Sequence, residues 1–218
     1  MKKNKTSLVF LFITMSLFSQ NAEKARDLLD NVSAKMGAYY NMDIGFSSSL
    51  VNEDAGIYEN DEAPLRGTII IRNEKYLLDY LGNKFIFDGN KLYVINEEIK
   101  EVNISNGAME EESGFIYPSK LLTFYKEGYR FAWGQLENDK GRKIQYIDLT
   151  PIDSNSEIVK VNLGIDAKTN HIYSLIQIGK NGTKTTLIIN SFKSNQTISE
   201  KLFTFDRDKY LKQKYTID

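Results

Sequence analysis

The segment KFIFDGNKLYVINEEIKEVNI, residues 84–104, predicts a β-hairpin whose strands are apolar on both faces. Its turn, Asp88 to Asn90, contains a glycine that tolerates positive φ, and β-branched and aromatic residues flank the turn. The alternating positions place Phe85 and Phe87 opposite Ile86, and Leu92 and Val94 opposite Tyr93 and Ile95. A surface hairpin is ordinarily apolar on one face only. Both faces of this sheet are therefore expected to pack against other parts of the protein.

The first 20 residues have the pattern of a secretory signal. Lys2, Lys3 and Lys5 precede an apolar run of 11 residues, Leu8 to Phe18. That run is too short for a bilayer, which requires about 20 residues, and it fits the roughly 7–15 residues of a signal-peptide core. We expect cleavage between Leu17 and Asn21 and export to the periplasm, with an uncleaved N-terminal anchor as the alternative.

Composition and charge exclude several classes of function. Residues 1–20 contain three lysines and no acid, so their removal changes the formal net charge from −1 to −4. A net charge of this size and sign does not favour the binding of nucleic acid. The chain has no cysteine, which excludes disulfides, thiolate metal sites and an acylated N-terminal cysteine. Residues 21–218 are of a size that fits one domain, and we expect a monomer.

One long helix precedes a series of strands. Residues 21–39 carry apolar side chains at helical spacing, namely Ala25, Leu28, Leu29, Val32 and Met36, and Gly37 is expected to end the helix. From Met42 onward, alternating segments separated by turn residues predict strands, the last of them at Leu202 to Phe205. The fold class is therefore mainly β.

The segment PSKLLTFYKE, Pro118 to Glu127, interrupts the strands and predicts a short helix between Pro118 and Gly128. Leu121, Leu122, Phe124 and Tyr125 make it apolar nearly all round. A helix of this kind must be buried on most sides, so it is expected to cover a cavity.

The sequence offers little that indicates catalysis. There is one histidine, His171, and its position beside a turn favours a surface histidine over a catalytic one. Nucleotide-binding and zinc-protease motifs are absent. Acidic pairs such as Glu97 and Glu98 carry no weight, although a glycosidase dyad assembled in space stays open. We expect a protein that is not an enzyme and that uses no cofactor or metal.

Segments spread over nearly the whole of the chain that follows the predicted signal carry a resemblance to one family. In order they are RGTII, KYLLDY, FDGNKLYVI, YPSKLLTFYKEGYRF, YIDLTPID, VNLGIDAKTNHI and NGTKTTLIINSFKSNQTISEKLFTFD. Together with the leading helix, their order and spacing resemble the LolA family of periplasmic carriers of outer-membrane lipoproteins.

The resemblance implies a curved antiparallel sheet that forms an incomplete β-barrel, with an N-terminal helix and a short lid helix on its concave side. It implies a cavity for the acyl chains of lipoproteins, which the carrier takes from an inner-membrane lipoprotein-releasing transporter to an outer-membrane acceptor. The residues expected to form the cavity and its lid are Leu77, Phe85, Phe87, Tyr93, Ile95, Leu121, Leu122, Phe124, Tyr125, Phe131 and Trp133.

Family members often carry an arginine that holds the lid shut, and here Leu77 occupies its expected place while Arg72 lies nearby. Whether Arg72 replaces the missing latch is left open by the sequence. Two other functions also stay open. One is binding or sensing of free lipid or glycolipid on the same fold, and the other is docking of an envelope protein on an apolar face.

Overall fold

The computed structural model describes residues 6–59, 61–108 and 123–218, with side chains from Gln20 onward. The helices are α1 (Thr6–Gly37) and α2 (Arg207–Lys212). The strands are β1 (Met42–Val51), β2 (Leu65–Arg72), β3 (Lys75–Tyr80), β4 (Asn83–Phe87), β5 (Lys91–Asn96), β6 (Glu101–Asn106), β7 (Tyr129–Asp139), β8 (Arg142–Pro151), β9 (Ile158–Asp166), β10 (His171–Gly179), β11 (Lys184–Ser194) and β12 (Thr216–Ile217). Single 3-10 turns occur at Glu53–Ala55, Phe124–Lys126 and Glu200–Phe203.

The twelve strands form one sheet in the order β12-β6-β5-β4-β3-β2-β1-β11-β10-β9-β8-β7. All neighbours are antiparallel except β12 and β6, which are parallel. Strands β12 and β7 are the two edges, so the sheet is not closed. The mainly β fold with an unclosed antiparallel sheet and an N-terminal helix is confirmed.

The hairpin that begins at Lys84 forms as its turn chemistry predicts. The Asp88 carboxylate accepts hydrogen bonds from the backbone N–H groups of Asn90 and Lys91, both at 2.8 Å, and Gly89 has a φ of 98°. Strand β4 pairs with β5 so that Phe85 lies opposite Val94. An Asp side chain that caps its own turn in this way fixes the register of the two strands.

Helix α1 packs on the sheet through the predicted apolar stripe. Ala25, Leu29, Val32 and Met36 are at most 1% exposed, and the helix contacts β7 and β10. These four side chains join the main apolar cluster of the protein. We call the sheet face that shares this cluster with α1 the inner face, and the opposite face the outer face.

The C-terminal segment, residues 204–218, covers part of the outer face and explains the second apolar side of the hairpin. Tyr210 of α2 is buried in a separate cluster with Ile86, Ile95 and Val102. The ring of Phe205 stacks on Tyr93 at 4.6 Å between centroids. The inner face of the same hairpin belongs to the cluster under α1.

Two predicted elements differ from the structure. The strand expected at Leu202 to Phe205 is instead the end of a 3-10 turn, Glu200–Phe203, because the Ser199 hydroxyl caps that turn by accepting from the N–H of Lys201. Helix α1 begins at Thr6 rather than near Asn21. The predicted helix at Pro118 to Glu127 lies largely outside the described residues, and its described end is the 3-10 turn Phe124–Lys126.

Candidate functional site

The inner face carries a group of aromatic and aliphatic side chains that are only partly buried. They pack against the buried cluster under α1 but keep some exposure. We call this group the apolar layer, and its members on β4, β5, β7 and the segment before β7 are Phe85, Val94, Phe124, Tyr129, Phe131 and Trp133. Such a group differs from an ordinary core, in which side chains of this size are fully buried.

Tyr125 joins the segment before β7 to helix α1. Its side chain is 1% exposed, and its hydroxyl donates a hydrogen bond of 2.8 Å to the backbone carbonyl of Leu29. Burial, together with the negative charge of Asp30, raises the pKa of Tyr125, although a side-chain hydrogen bond with Ser33 acts in the opposite direction. The hydroxyl therefore stays protonated and remains a donor to the helix.

Phe124 extends the contact from Tyr125 toward β7. Its ring meets the rings of Tyr125 and Tyr129 edge to face, at 5.6 and 5.9 Å between centroids. Edge-to-face pairs of this kind contribute about 0.5–1.5 kcal/mol beyond the area that they bury. The three rings thus hold residues 124–129 between α1 and the sheet.

Two cations of α1 lie over the aromatic rings of β7. The Nζ atom of Lys24 is 3.9 Å from the ring centroid of Trp133, and the guanidinium carbon of Arg26 is 5.3 Å from that of Phe131. Contacts of this kind are worth about 0.5–1 kcal/mol at exposed sites. Their long side chains cover part of the apolar layer while their charges stay in water. The sequence gave no signal for these contacts.

The structure divides the predicted cavity residues between the two faces of the sheet. Those on the inner face are Phe85, Phe87, Phe124, Tyr125, Phe131 and Trp133. Leu77, Tyr93 and Ile95 lie on the outer face, packed with the C-terminal segment, because they alternate with the inner positions along β3 and β5. Leu121 and Leu122 lie outside the described residues. The sequence did not show that residues 204–218 cover the outer face. It therefore gave no reason to separate the three outer-face residues from those on the inner face.

Arg72 does not bridge to the described residues of the predicted lid. Its guanidinium forms an ion pair of 2.5 Å with Glu200, hydrogen-bonds the hydroxyl of Tyr40 and lies 4.5 Å from the centroid of the Tyr40 ring. It therefore ties the end of β2 to Tyr40, in the segment between α1 and β1, and to the turn at Glu200. Within the described ranges, Tyr125 joins the lid segment to α1 through its hydrogen bonds with Leu29 and Ser33.

His171, predicted to be a surface histidine, is partly buried and has packing and hydrogen-bond partners. Its Nε2 atom lies 2.8 Å from the hydroxyl of Tyr39, and its ring packs against Phe192 at 4.2 Å between centroids. Burial lowers the pKa of His171, and the positive charge of Lys35 lowers it further. The histidine that looked free in the sequence is a packed, hydrogen-bonded contact between the end of α1 and β10.

This lowered pKa predicts a pH dependence of stability. The folded protein binds fewer protons at His171 than the unfolded chain, whose histidine pKa is about 6.5. The stabilising contribution is therefore complete above about pH 6.5 and is lost as the pH falls through the folded pKa. Thermal unfolding between about pH 7.5 and pH 5 should show a larger decrease in Tm for the wild type than for His171→Gln. Equal decreases would contradict the assignment.

The described residues contain no group of three or more histidine or acidic side chains arranged to hold a metal ion. Within the same ranges, no helix combines the length and the apolar character needed to cross a membrane.

The fold is an unclosed antiparallel sheet with one long helix packed against its apolar inner face. The family model described as "Outer membrane lipoprotein carrier protein LolA" matches residues 81–206, more than half of the chain, and the chain belongs to this LolA family. Carriers of this family are not enzymes. No curated protein sequence matches the chain.

Solved structures with low sequence identity share the fold. An uncharacterized conserved protein from Thermus thermophilus is 10% identical, with a TM-score of 0.57, over 85% of this chain and 96% of that one. A DUF1329 family protein from Desulfovibrio piger is 10% identical, with a TM-score of 0.50, over 84% of this chain and 97% of that one. At these identities the likeness supports the architecture alone.

Proposed function

We propose that this protein is a periplasmic carrier that shields the acyl chains of lipoproteins and transfers them from the inner to the outer membrane. Membership of the LolA family supports a lipoprotein cargo. The observation that carries the proposal is the apolar layer, in which Phe85, Phe131 and Trp133 are only partly buried. A partly filled apolar space next to a helix can take up an acyl chain by displacing side chains rather than by unfolding the core.

The physical need for such a carrier follows from the hydrophobic effect. Exposing an acyl chain of about fifteen methylenes to water costs roughly 12 kcal/mol, at about 0.8 kcal/mol per methylene. A lipoprotein with several such chains requires cover to cross an aqueous compartment. The carrier must also bind less tightly than the final membrane, since the cargo otherwise stays bound.

The segment that includes Tyr125 is the proposed lid. Its described part, residues 123–128, is held to α1 by the hydroxyl of Tyr125, whose ring the ring of Phe124 meets edge to face. Opening the lid breaks this hydrogen bond, which contributes about 1 kcal/mol, and uncovers the buried ring of Tyr125, a cost that burial of the entering acyl chain offsets. Phe85, Phe87, Phe131 and Trp133 then form the proposed wall of the site on the sheet. Leu121 and Leu122 remain proposed lid residues on the sequence pattern alone.

The route of the protein is part of the same proposal. Residues 1–20 act as a cleaved secretory signal, and residues 21–218 form one carrier domain in the periplasm. The partners are an inner-membrane lipoprotein-releasing transporter and an outer-membrane acceptor, with handover driven by contact with the better acceptor.

Identification of the apolar molecules that co-purify with the protein tests this function. The protein is purified from the periplasm without detergent, extracted with organic solvent, and the extract and the co-purifying polypeptides are identified by mass spectrometry. We expect acylated lipoproteins, in excess over an unrelated periplasmic protein purified in the same way. Free lipid without lipoprotein would contradict the carrier function and favour a lipid-binding protein. An extract without acyl species would contradict it and favour a docking module.

A further inference from the structure

The sheet divides between β10 and β11. These strands pair only from Ser174 opposite Ile188 to Ile178 opposite Lys184. Before Ser174, β10 remains paired with β9, and after Ile188, β11 remains paired with β1. The two strands therefore separate over residues 171–173 and 189–194, and a cleft opens within the sheet.

The cleft has the size and the floor of a small-molecule site. Its volume is about 820 Å³, within the range of about 300–1,000 Å³ that is usual for ligand pockets. Ile172 and Ile189 line it and also belong to the buried cluster under α1, and the ring of Phe192 lies beside them. The floor is thus apolar and continuous with the core, although the apolar layer on β4, β5 and β7 does not line the cleft.

The rim of the cleft is positively charged. Arg142, Lys143 and Lys168 line it, and none of them forms an ion pair with a carboxylate of the described ranges. Asp166 also lines the cleft, but its carboxylate accepts from the backbone N–H groups of Lys168 and Thr169 at 2.9 and 3.0 Å. Burial would raise the pKa of Asp166, but these N–H donors, the Thr169 side chain and the charge of Arg142 hold it below its usual value. That carboxylate is therefore already engaged by its own turn.

The position of Arg142 is supported by its neighbours. Its guanidinium carbon lies 5.5 Å from the ring centroid of Tyr173, and the hydroxyl of Tyr173 donates to a carboxylate oxygen of Asp139 at 2.5 Å. Burial, followed by the hydrogen bond and the charge of Asp139, raises the pKa of Tyr173 to about 12. The phenol therefore stays a donor, and its ring is a fixed platform for the arginine.

We propose that this cleft binds an amphipathic anion, a molecule with an alkyl chain that ends in a carboxylate or a phosphate. The alkyl chain lies on Ile172, Ile189 and Phe192, and the anionic group pairs with Arg142 and Lys143. A neutral molecule of the same length would leave the charged rim without a partner, whereas an anion gains charge-assisted hydrogen bonds. The site is separate from the proposed lipoprotein site and does not depend on that function.

Three ligands with the same number of carbon atoms separate the contribution of the alkyl chain to the affinity from that of the charge. Isothermal titration calorimetry on the delipidated protein, below the micelle concentrations, compares decanoate, decyl phosphate and decanol. We expect both anions to bind at least about tenfold more tightly than decanol, the affinity ratio that about 1.4 kcal/mol provides. The anion with the higher affinity indicates whether the natural ligand is a fatty acid or a phosphate-bearing lipid. A decanol affinity equal to that of the two anions would overturn the proposal.

Variants locate the binding in the cleft. The double variant Arg142→Gln with Lys143→Gln should lose at least about tenfold in affinity for the tighter anion, while Lys91→Gln, on the exposed start of β5, should lose none. Asn190→Trp fills the cleft from an exposed position and should abolish the preference for the two anions over decanol. Undiminished binding in the double variant, or an equal loss of binding in Lys91→Gln, would overturn the assignment to this cleft.

Discussion

Replacement of Tyr125 by alanine is expected to lower the free energy of unfolding by about 3–5 kcal/mol, as for other large aromatic truncations in a core. The side chain is 1% exposed, and its removal leaves a cavity between α1 and the sheet and also deletes the hydrogen bond to Leu29. Urea unfolding followed by circular dichroism measures the change. A loss of this size is a large share of the stability of an ordinary domain.

Tyr125→Phe is the matched control, because it removes the hydroxyl and keeps the ring. We expect it to cost about 1 kcal/mol, the usual contribution of one hydrogen bond. In the carrier account this variant should also take up a fluorescent acyl probe faster, since the lid is held less firmly. A change of less than about 0.5 kcal/mol for the alanine variant would contradict the described packing of this segment.

The second large effect concerns binding rather than stability. Trp133→Glu should weaken the binding of a fluorescent acyl probe by about tenfold or more, because a carboxylate in the apolar layer raises the cost of bringing an alkyl chain there. The fold should tolerate the change. Trp133 is only half-buried, and Lys24, whose Nζ lies 3.9 Å from the ring centroid, is placed to pair with the new carboxylate.

Leu136→Glu provides the control on the same strand. Leu136 is 59% exposed and lies outside the apolar layer, so its replacement should change neither probe binding nor Tm by a measurable amount. Equal loss of binding in both variants would mean that added negative charge alone reduces uptake. A collapse of Tm in Trp133→Glu would mean that Trp133 is core rather than the wall of a binding site.

Local patterns in the sequence predicted most of the framework. The turn at Asp88 to Asn90 fixed the hairpin, and the spacing of Ala25, Leu29, Val32 and Met36 identified the face of α1 that packs on the sheet. Such features depend on neighbours in the chain, so periodicity and turn chemistry reveal them. The observation that both faces of the hairpin are apolar was also correct, and each face has its own cover.

Features that depend on distant parts of the chain were not predictable in the same way. The cover of the outer face comes from residues 204–218, more than 100 positions after the hairpin, and only the structure shows that Tyr93 and Ile95 pack there rather than with Phe85. The partners of His171 and Arg72 are likewise remote in sequence. The cleft arises where β10 and β11 stop pairing, and no local signal marks that position.

Site-specific crosslinking to cargo tests the central claim most directly, and the absence of cysteine in the chain makes it practicable. A single cysteine at Phe131, in the apolar layer, is labelled with a benzophenone maleimide. A matched cysteine at Leu211, which is 49% exposed on α2, carries the same label. Each labelled protein is irradiated with a lipoprotein whose acyl chains are radioactive. The account predicts a crosslink to the acyl chains from Phe131→Cys and little or none from Leu211→Cys, whereas equal crosslinking, or crosslinking from Leu211→Cys alone, would contradict it.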